Sequence, residues 1–268
     1  MGVSRVFRVG SPYNGVELDE VDFEQTADTM YLAHIDHAPT KLVRAAHDDW
    51  TFSSVTFGPS LAAPTGVGAV ATTPNTDSEN SGNSYFPQVA SYVVTAVDEN
   101  GNESRASSSS SATNDLSLKR NYTTVSWSAV SGADRYNIYK AENSQFFGYI
   151  GTTASLSFRD DNIGPALDRS PPEGYNPFDS TDNYPSTVTF FEQRLMFGRS
   201  RNNPNGVWGS RSAQFENFDR SSPLRDDDSM TFAVVAGRVN AVNQLVSTTS
   251  LLALTSDSIF RVDGDPNG

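Results

Sequence analysis

The sequence predicts an all-β protein: an incomplete β-propeller-like meander formed by residues 1–60 and 176–268, interrupted by an inserted β-sandwich at 61–175. Three observations carry this reading. Short runs rich in Val, Ile, Thr, Phe, Tyr and Trp recur at intervals of about 8–12 residues, the strand-and-turn rhythm of antiparallel sheets. Nothing sustains a helical period over about three turns. Pro-marked borders, Gly58-Pro59 with Ala63-Pro64 and Ser170-Pro171-Pro172 with Gly174, enclose a middle zone richer in Ser, Thr, Gly and Asn than its flanks.

The first flank supplies Met30 to Ile35, Lys41 to Arg44 and Trp50 to Phe57, in which Trp50, Phe52, Val55 and Phe57 read as strand residues. The middle zone supplies Thr65 to Ala71, Ser91 to Val97, Thr123 to Trp127, Arg135 to Tyr139, Phe147 to Ile150 and Leu156 to Phe158, the spacing of a sandwich. Asp98 to Ser104 reads as a hairpin connection, because Asn100-Gly101 tolerates positive φ. Thr73 to Gly82 and Ser107 to Ser111 offer no apolar face and read as solvated loops. The second flank resumes with Thr187 to Phe191, Arg194 to Phe197, Gly206 to Trp208, Met230 to Val235, Asn243 to Val246, Leu251 to Thr255 and Ser258 to Val262. The turn Asp263 to Gly268 has no strand after it, so more chain is expected to complete the meander.

Composition bounds the function. With 19 Lys+Arg against 32 Asp+Glu the net charge is −13, which argues against a cationic nucleic-acid binder, since phosphate binding works through clustered basic residues. A hydrophobic fraction of 37% gives enough burial for a folded core. The absence of cysteine removes disulfides, thiolate metal sites and Cys nucleophiles. Met1 to Gly10 lacks a signal-peptide apolar region, and Leu251 to Leu254 is too short to span a bilayer, so a non-exported chain without membrane anchor is expected.

Residues that could carry chemistry each have a plainer reading. His34, His37 and His47 lie near Asp36, Asp48 and Asp49, but residues three apart on one extended strand face opposite ways, so a structural role is expected over a shared metal ion. Asp226, Asp227 and Asp228 lack the alternating Gly and Asn of a calcium loop and read as a solvated turn. Gly66-Val67-Gly68 is no dinucleotide site, because neither a strand before it nor a helix after it is expected. No nucleophile elbow, P-loop or His-Glu-x-x-His motif occurs, and no carboxylate pair stands out as a glycosidase site. Asn102-Glu103-Ser104 and Asn121-Tyr122-Thr123 fit glycosylation sequons, which carry little weight without a signal peptide. Trp127, Tyr136, Tyr139, Phe190, Phe191 and Phe197 read as core packing rather than ligand stacking. No residue is therefore assigned a catalytic, cofactor-binding or metal-binding role, no cofactor is expected, and the protein is read as a non-enzyme.

Two stretches carry a resemblance. Ala27-Asp28-Thr29-Met30-Tyr31 through His34, His37, Pro39, Lys41-Leu42, Arg44 and Trp50 resembles the opening of the tail nozzle proteins of short-tailed bacteriophages, also called tail tubular or stabilisation proteins. Phe191-Glu192-Gln193-Arg194-Leu195-Met196-Phe197-Gly198, with Asn203-Pro204, Val207-Trp208, Ser210-Arg211, Phe215, Asn217-Phe218 and Asp227-Asp228, resembles the same family's downstream signature. The middle zone is similar to fibronectin type III or immunoglobulin-like insertions, through Ser91 to Ser104 and Val125 to Tyr139, although its Tyr-x-Val element precedes its Trp element, the reverse of the usual fibronectin order.

The resemblance implies a structural virion protein that forms a ring, a hexamer in this family, extending the DNA ejection channel below the portal and the adaptor. The implied partners are copies of itself, the tail adaptor protein, tail fibres or spikes, and genome DNA passing through the lumen without sequence-specific binding. The implied location is the phage tail, assembled in the host cytoplasm. An acidic surface suits a wall along which DNA slides, because it repels phosphates. The alternative reading is a non-enzymatic glycan- or cell-surface-binding sandwich module, which glycan binding by residues 61–175 would favour. A third class, a propeller glycosidase, would need clustered carboxylates facing one funnel.

Overall fold

A computed structural model describes residues 8–76, 85–142, 146–235 and 240–262. The expected turn at Asp263 to Gly268, residues 77–82 of the expected loop and most of the N-terminal segment lie outside the described residues. The architecture is all-β, with several antiparallel sheets, none of which closes on itself.

The strands, in chain order, are β1 (Asp22–Thr26), β2 (Thr29–His34), β3 (His37–Ala46), β4 (Asp49–Ser54), β5 (Gly68–Thr72), β6 (Gln88–Val97), β7 (Ser110–Asn114), β8 (Tyr122–Ser126), β9 (Arg135–Glu142) and β10 (Gly148–Thr153). They continue as β11 (Ser157–Asp160), β12 (Ser170–Glu173), β13 (Thr187–Phe191), β14 (Arg194–Gly198), β15 (Gly206–Gly209), β16 (Arg220–Ser222), β17 (Met230–Ala233), β18 (Val242–Ser247), β19 (Leu251–Thr255) and β20 (Ile259–Val262). Two compact units result: residues 1–58, 175–218 and 226–268 in the first, 59–174 with 219–225 in the second.

The first unit contains three meanders, ordered β1-β2-β3-β4, β13-β14-β15-β17 and β18-β19-β20. Their alternation builds two cores. Tyr31 and Ala33 of β2 meet Val188, Leu195, Phe197 and Trp208 of the second meander, together with Phe57, Phe178 and Phe218. On the other face of that second sheet, Met196 and Val207 meet Leu245, Leu251 and Ala253 of the third. Every residue of β14 is buried, because side chains that alternate across a strand enter a different core on each face. Full burial of each large apolar side chain stabilises by about 1.5–3 kcal/mol relative to exposure. The rings of Phe57, Phe178, Phe197 and Phe218 meet mostly edge to face, with centroids 4.9–6.2 Å apart.

The first strands of the three meanders lie side by side through side-chain bonds rather than ladder pairing. Asp22 Oδ2 of β1 accepts from Thr187 Oγ1 at 2.5 Å and from the Val188 N–H of β13 at 3.0 Å. Thr187 Oγ1 in turn accepts from the Leu245 N–H of β18 at 3.0 Å. Gly198 makes this approach possible, since a Cβ there would stand 2.8 Å from Thr187 Cγ2 and 3.1 Å from Leu245 Cδ1.

The second unit has a four-stranded sheet, β10-β9-β6-β7, and a three-stranded sheet, β11-β8-β5, and the chain crosses between them after β5, β7, β8 and β10. One core joins the sheets: Tyr92, Val94 and Ala96 of β6 with Tyr136 and Ile138 of β9 on one side, Val125 and Trp127 on the other. The loop at Asp98 to Ser104 forms with Gly101 at φ 84°, while Asp98 Oδ1 accepts from the N–H groups of Asn100 and Asn102. Ser107 to Ser111 is the solvated loop its composition suggests only at Ser108 and Ser109, which are exposed and outside any strand. Ser107 is buried with its Oγ accepting from the Val94 N–H at 3.0 Å, and Ser110 and Ser111 open β7; hydroxyls replaced the apolar face that pattern reading looks for. The Pro-marked segment at Ser170 forms β12, which pairs with β16 from beyond the second border.

Candidate functional site

The histidines show how topology changes a spacing argument. His34 ends β2 and His37 begins β3 across a two-residue turn, so they stand directly opposite each other, with ring centroids 5.0 Å apart. The rule that residues three apart face opposite ways holds along one strand, and here the chain reverses between the two rings. Each ring faces a carboxylate from the preceding segment: His37 Nε2 lies 3.1 Å from Glu17 Oε2, and His34 Nε2 lies 3.8 Å from Glu20 Oε2. The Glu17 carboxyl is held below its ordinary range, first by the Asn14 N–H and then by the facing histidine. Tyr13 packs edge-on to His37, donates or accepts with Thr40 Oγ1 at 2.7 Å, and has its phenol pushed up by burial. His47 stands apart in the exposed turn between β3 and β4, its carbonyl accepting from Trp50 Nε1. Among the described residues, no group of three or more His, Asp or Glu side chains is placed to hold a metal ion.

Next to this pair, Asp19, Glu20, Asp22, Ser186, Arg199 and Asn243 line a cleft where β1, β13 and β18 begin. Three carboxylates face one guanidinium, and Arg199 reaches Asn243 Oδ1 at 3.4 Å. Such a lining repels phosphate, and it holds no side chain paired for nucleophilic attack.

Asp226 and Asp227 form the expected turn, Asp226 exposed and Asp227 half-buried, but Asp228 is buried and two arginines tie the segment down. The Arg194 guanidinium donates to the carbonyls of Asp226 and Asp228 at 2.7 and 2.6 Å and to that of Ser210 at 2.7 Å. Arg211, 2% exposed, lies 2.8 Å from Asp227 Oδ2 and 3.2 Å from Asp228 Oδ1. Desolvation pulls the Arg194 guanidinium below its ordinary value. Two arginines distant in the chain anchor what local composition marks as the most soluble segment and bury its last residue, Asp228, and no spacing rule detects a partner brought in by tertiary contact.

The remaining candidates occupy packed, hydrogen-bonded or turn positions. Gly66 takes φ 66° just before strand β5, and no helix follows it. Asn121 is buried, its amide donating to the carbonyls of Asn75 and Asp115 at 2.9 Å each. Trp127 and Tyr136 enter the core of the second unit. Tyr139 points to the other face, donating to Glu103 Oε1 at 2.7 Å, where the amide of Asn137 and the hydroxyl of Thr95 also bond. Phe197 is fully buried, while the half-buried Phe190 and Phe191 pack on opposite faces of their sheet.

The fold and these constellations define a class: an all-β protein whose polar clusters hold corners and strand ends together. No protein-family model matches the sequence, and no curated protein matches it. Among the described residues, no helix is long and apolar enough to cross a membrane.

Proposed function

We propose that this chain is a structural virion protein of a short phage tail, a nozzle subunit that joins copies of itself in a ring below the adaptor and encloses the path of the ejected genome. One observation carries the reading. The two stretches that resemble the nozzle family, more than a hundred residues apart, are held in one unit by shared packing and ion pairs. Tyr31 donates to Glu216 Oε1 at 3.0 Å, Lys41 pairs with the same oxygen at 2.5 Å, and Arg201 pairs with Asp36. Within the downstream stretch, Arg194, Ser210, Arg211, Asn217, Asp227 and Asp228 are joined by hydrogen bonds and ion pairs, so the signature consists of residues that hold a fold.

The propeller reading is supported by the three stacked meanders, whose first strands adjoin as blades do around an axis. The immunoglobulin-like reading of the second unit is supported by two sheets on one core with four crossings between them. On this reading the second unit is a module available to fibres or spikes.

The test is electron microscopy of the chain mixed with the adaptor protein of the same virion. Rings, alone or on the adaptor, are expected; particles that stay single and uncomplexed at all concentrations would sink the proposal.

A further inference from the structure

In the second unit one lysine is wholly buried. Lys140 on β9 has no exposed side-chain surface, and its Nζ lies 3.1 Å from Oδ2 of Asp160, which is equally buried at the end of β11. The strands belong to different sheets, so the pair spans the sandwich at its edge. Glu142, two residues along the same face of β9, brings Oε1 to 2.7 Å from the same nitrogen. Close as they are, neither approach has the geometry of a hydrogen bond, and Nζ makes no other. The Asp160 carboxylate is fixed on both oxygens: the Tyr92 hydroxyl donates to Oδ2 at 2.8 Å and the Ile163 N–H to Oδ1 at 2.7 Å. Tyr92 is held opposite Lys140 by the β6–β9 register.

A buried ion pair alone is a weak stabiliser, because desolvation offsets the attraction. An amine packed against an oriented carboxyl, with a second carboxylate touching the amine, is also the arrangement for condensation. We propose that Lys140 and Asp160 join in an intramolecular amide bond linking the two sheets, with Glu142 as proton carrier. Glu142 takes a proton from the Lys140 ammonium, and the freed nitrogen attacks Cγ of Asp160. The Ile163 N–H holds Oδ1, which becomes the amide oxygen. Oδ2 leaves as water, carrying two of the three ammonium protons, delivered by Glu142 and guided by the Tyr92 hydroxyl. A C–N bond forms, a C–O bond breaks, and no oxidant or other reagent is required. Fixed proximity supplies the drive, since held reactants reach effective concentrations on the order of 10⁵ M or more. Exclusion of water disfavours the reverse hydrolysis.

The measurement is the intact mass of the purified full chain under denaturing conditions, with peptide sequencing after digestion. The expected result is a chain lighter by one water molecule and a branched peptide joining the segments that contain Lys140 and Asp160. Full mass after prolonged incubation of the folded protein, or water loss mapped elsewhere, overturns the proposal, and neither readout depends on any variant folding. Lys140→Arg is expected to keep full mass. Glu142→Gln, with unchanged circular dichroism, is expected to form the bond at least about a hundredfold more slowly; formation at the unaltered rate removes Glu142 from the mechanism.

Discussion

Arg211 illustrates how much of this molecule rests on single buried charges. Its guanidinium faces Asp228, whose side chain is only 3% exposed. Arg211→Ala takes the cation from a buried carboxylate, and a loss of about 3–5 kcal/mol is expected in urea unfolding. Arg211 stands in the sequence as an ordinary polar position and Asp228 as the end of an acidic run, and nothing in their neighbours reveals that they meet. Tyrosines give a second residue-scale test. Tyr31, Tyr92 and Tyr139 have phenols pushed above the ordinary value, mainly by burial and then by the facing carboxylates of Glu216, Asp160 and Glu103. In the unfolded chain they ionise near pH 10, whereas the folded state keeps them protonated. Their contribution is thus complete below about pH 10 and is lost as pH rises beyond it. Phenolate absorbance is expected to show these three of the ten tyrosines ionising only together with unfolding.

Strands were legible where apolar and β-branched residues cluster. Met30 to His34, Ser91 to Val97 and Arg194 to Phe197 all lie on observed strands, while Ile35, expected to extend the first run, falls in the turn after it. Those missed, β1, β7, β12 and β16, are polar or Pro-containing and are held by pairing and side-chain bonds rather than by an apolar face of their own. The meeting of His34 and His37 was missed for a related reason: the turn between β2 and β3, not the spacing of two residues, decides which faces they share. Gly198 closes β14 where another meander's first strand passes. Gly198→Ala places a methyl group against Thr187 and Leu245, and a cost of about 1–3 kcal/mol is expected in thermal or chemical unfolding, the range for overpacked cores. A neutral outcome would mean that the β13 and β18 contacts yield easily.

For the whole molecule, charge is the property on which the proposed function can be tested directly. The sequence carries −13, and the cleft at the strand ends adds carboxylates rather than lysines. On the proposed reading, a channel subunit that must release DNA benefits from weak contact with it, so no retardation of duplex DNA is expected in electrophoresis at physiological salt. A stable shift there would contradict the sliding-wall reading. The two compact units do not follow simple chain segments, because Arg220 to Ser222 leaves the second flank to pair with β12, and Arg105 binds Asp219 through two 2.7 Å bonds. A border set by prolines marks where the chain turns and leaves open which residues return.

The sequence by itself determined an all-β chain, through the alternation and clustering of strand-forming residues, and an acidic one, through simple counting. Only the tertiary structure decided which histidines adjoin, that Asp228 of the aspartate run is buried against Arg211, and that Lys140 lies against Asp160. The turn between β2 and β3 decides the first, and the other two share one physical reason. Strand propensity is written in neighbouring residues, whereas a buried charge is tolerated only beside a partner that folding brings from far along the chain.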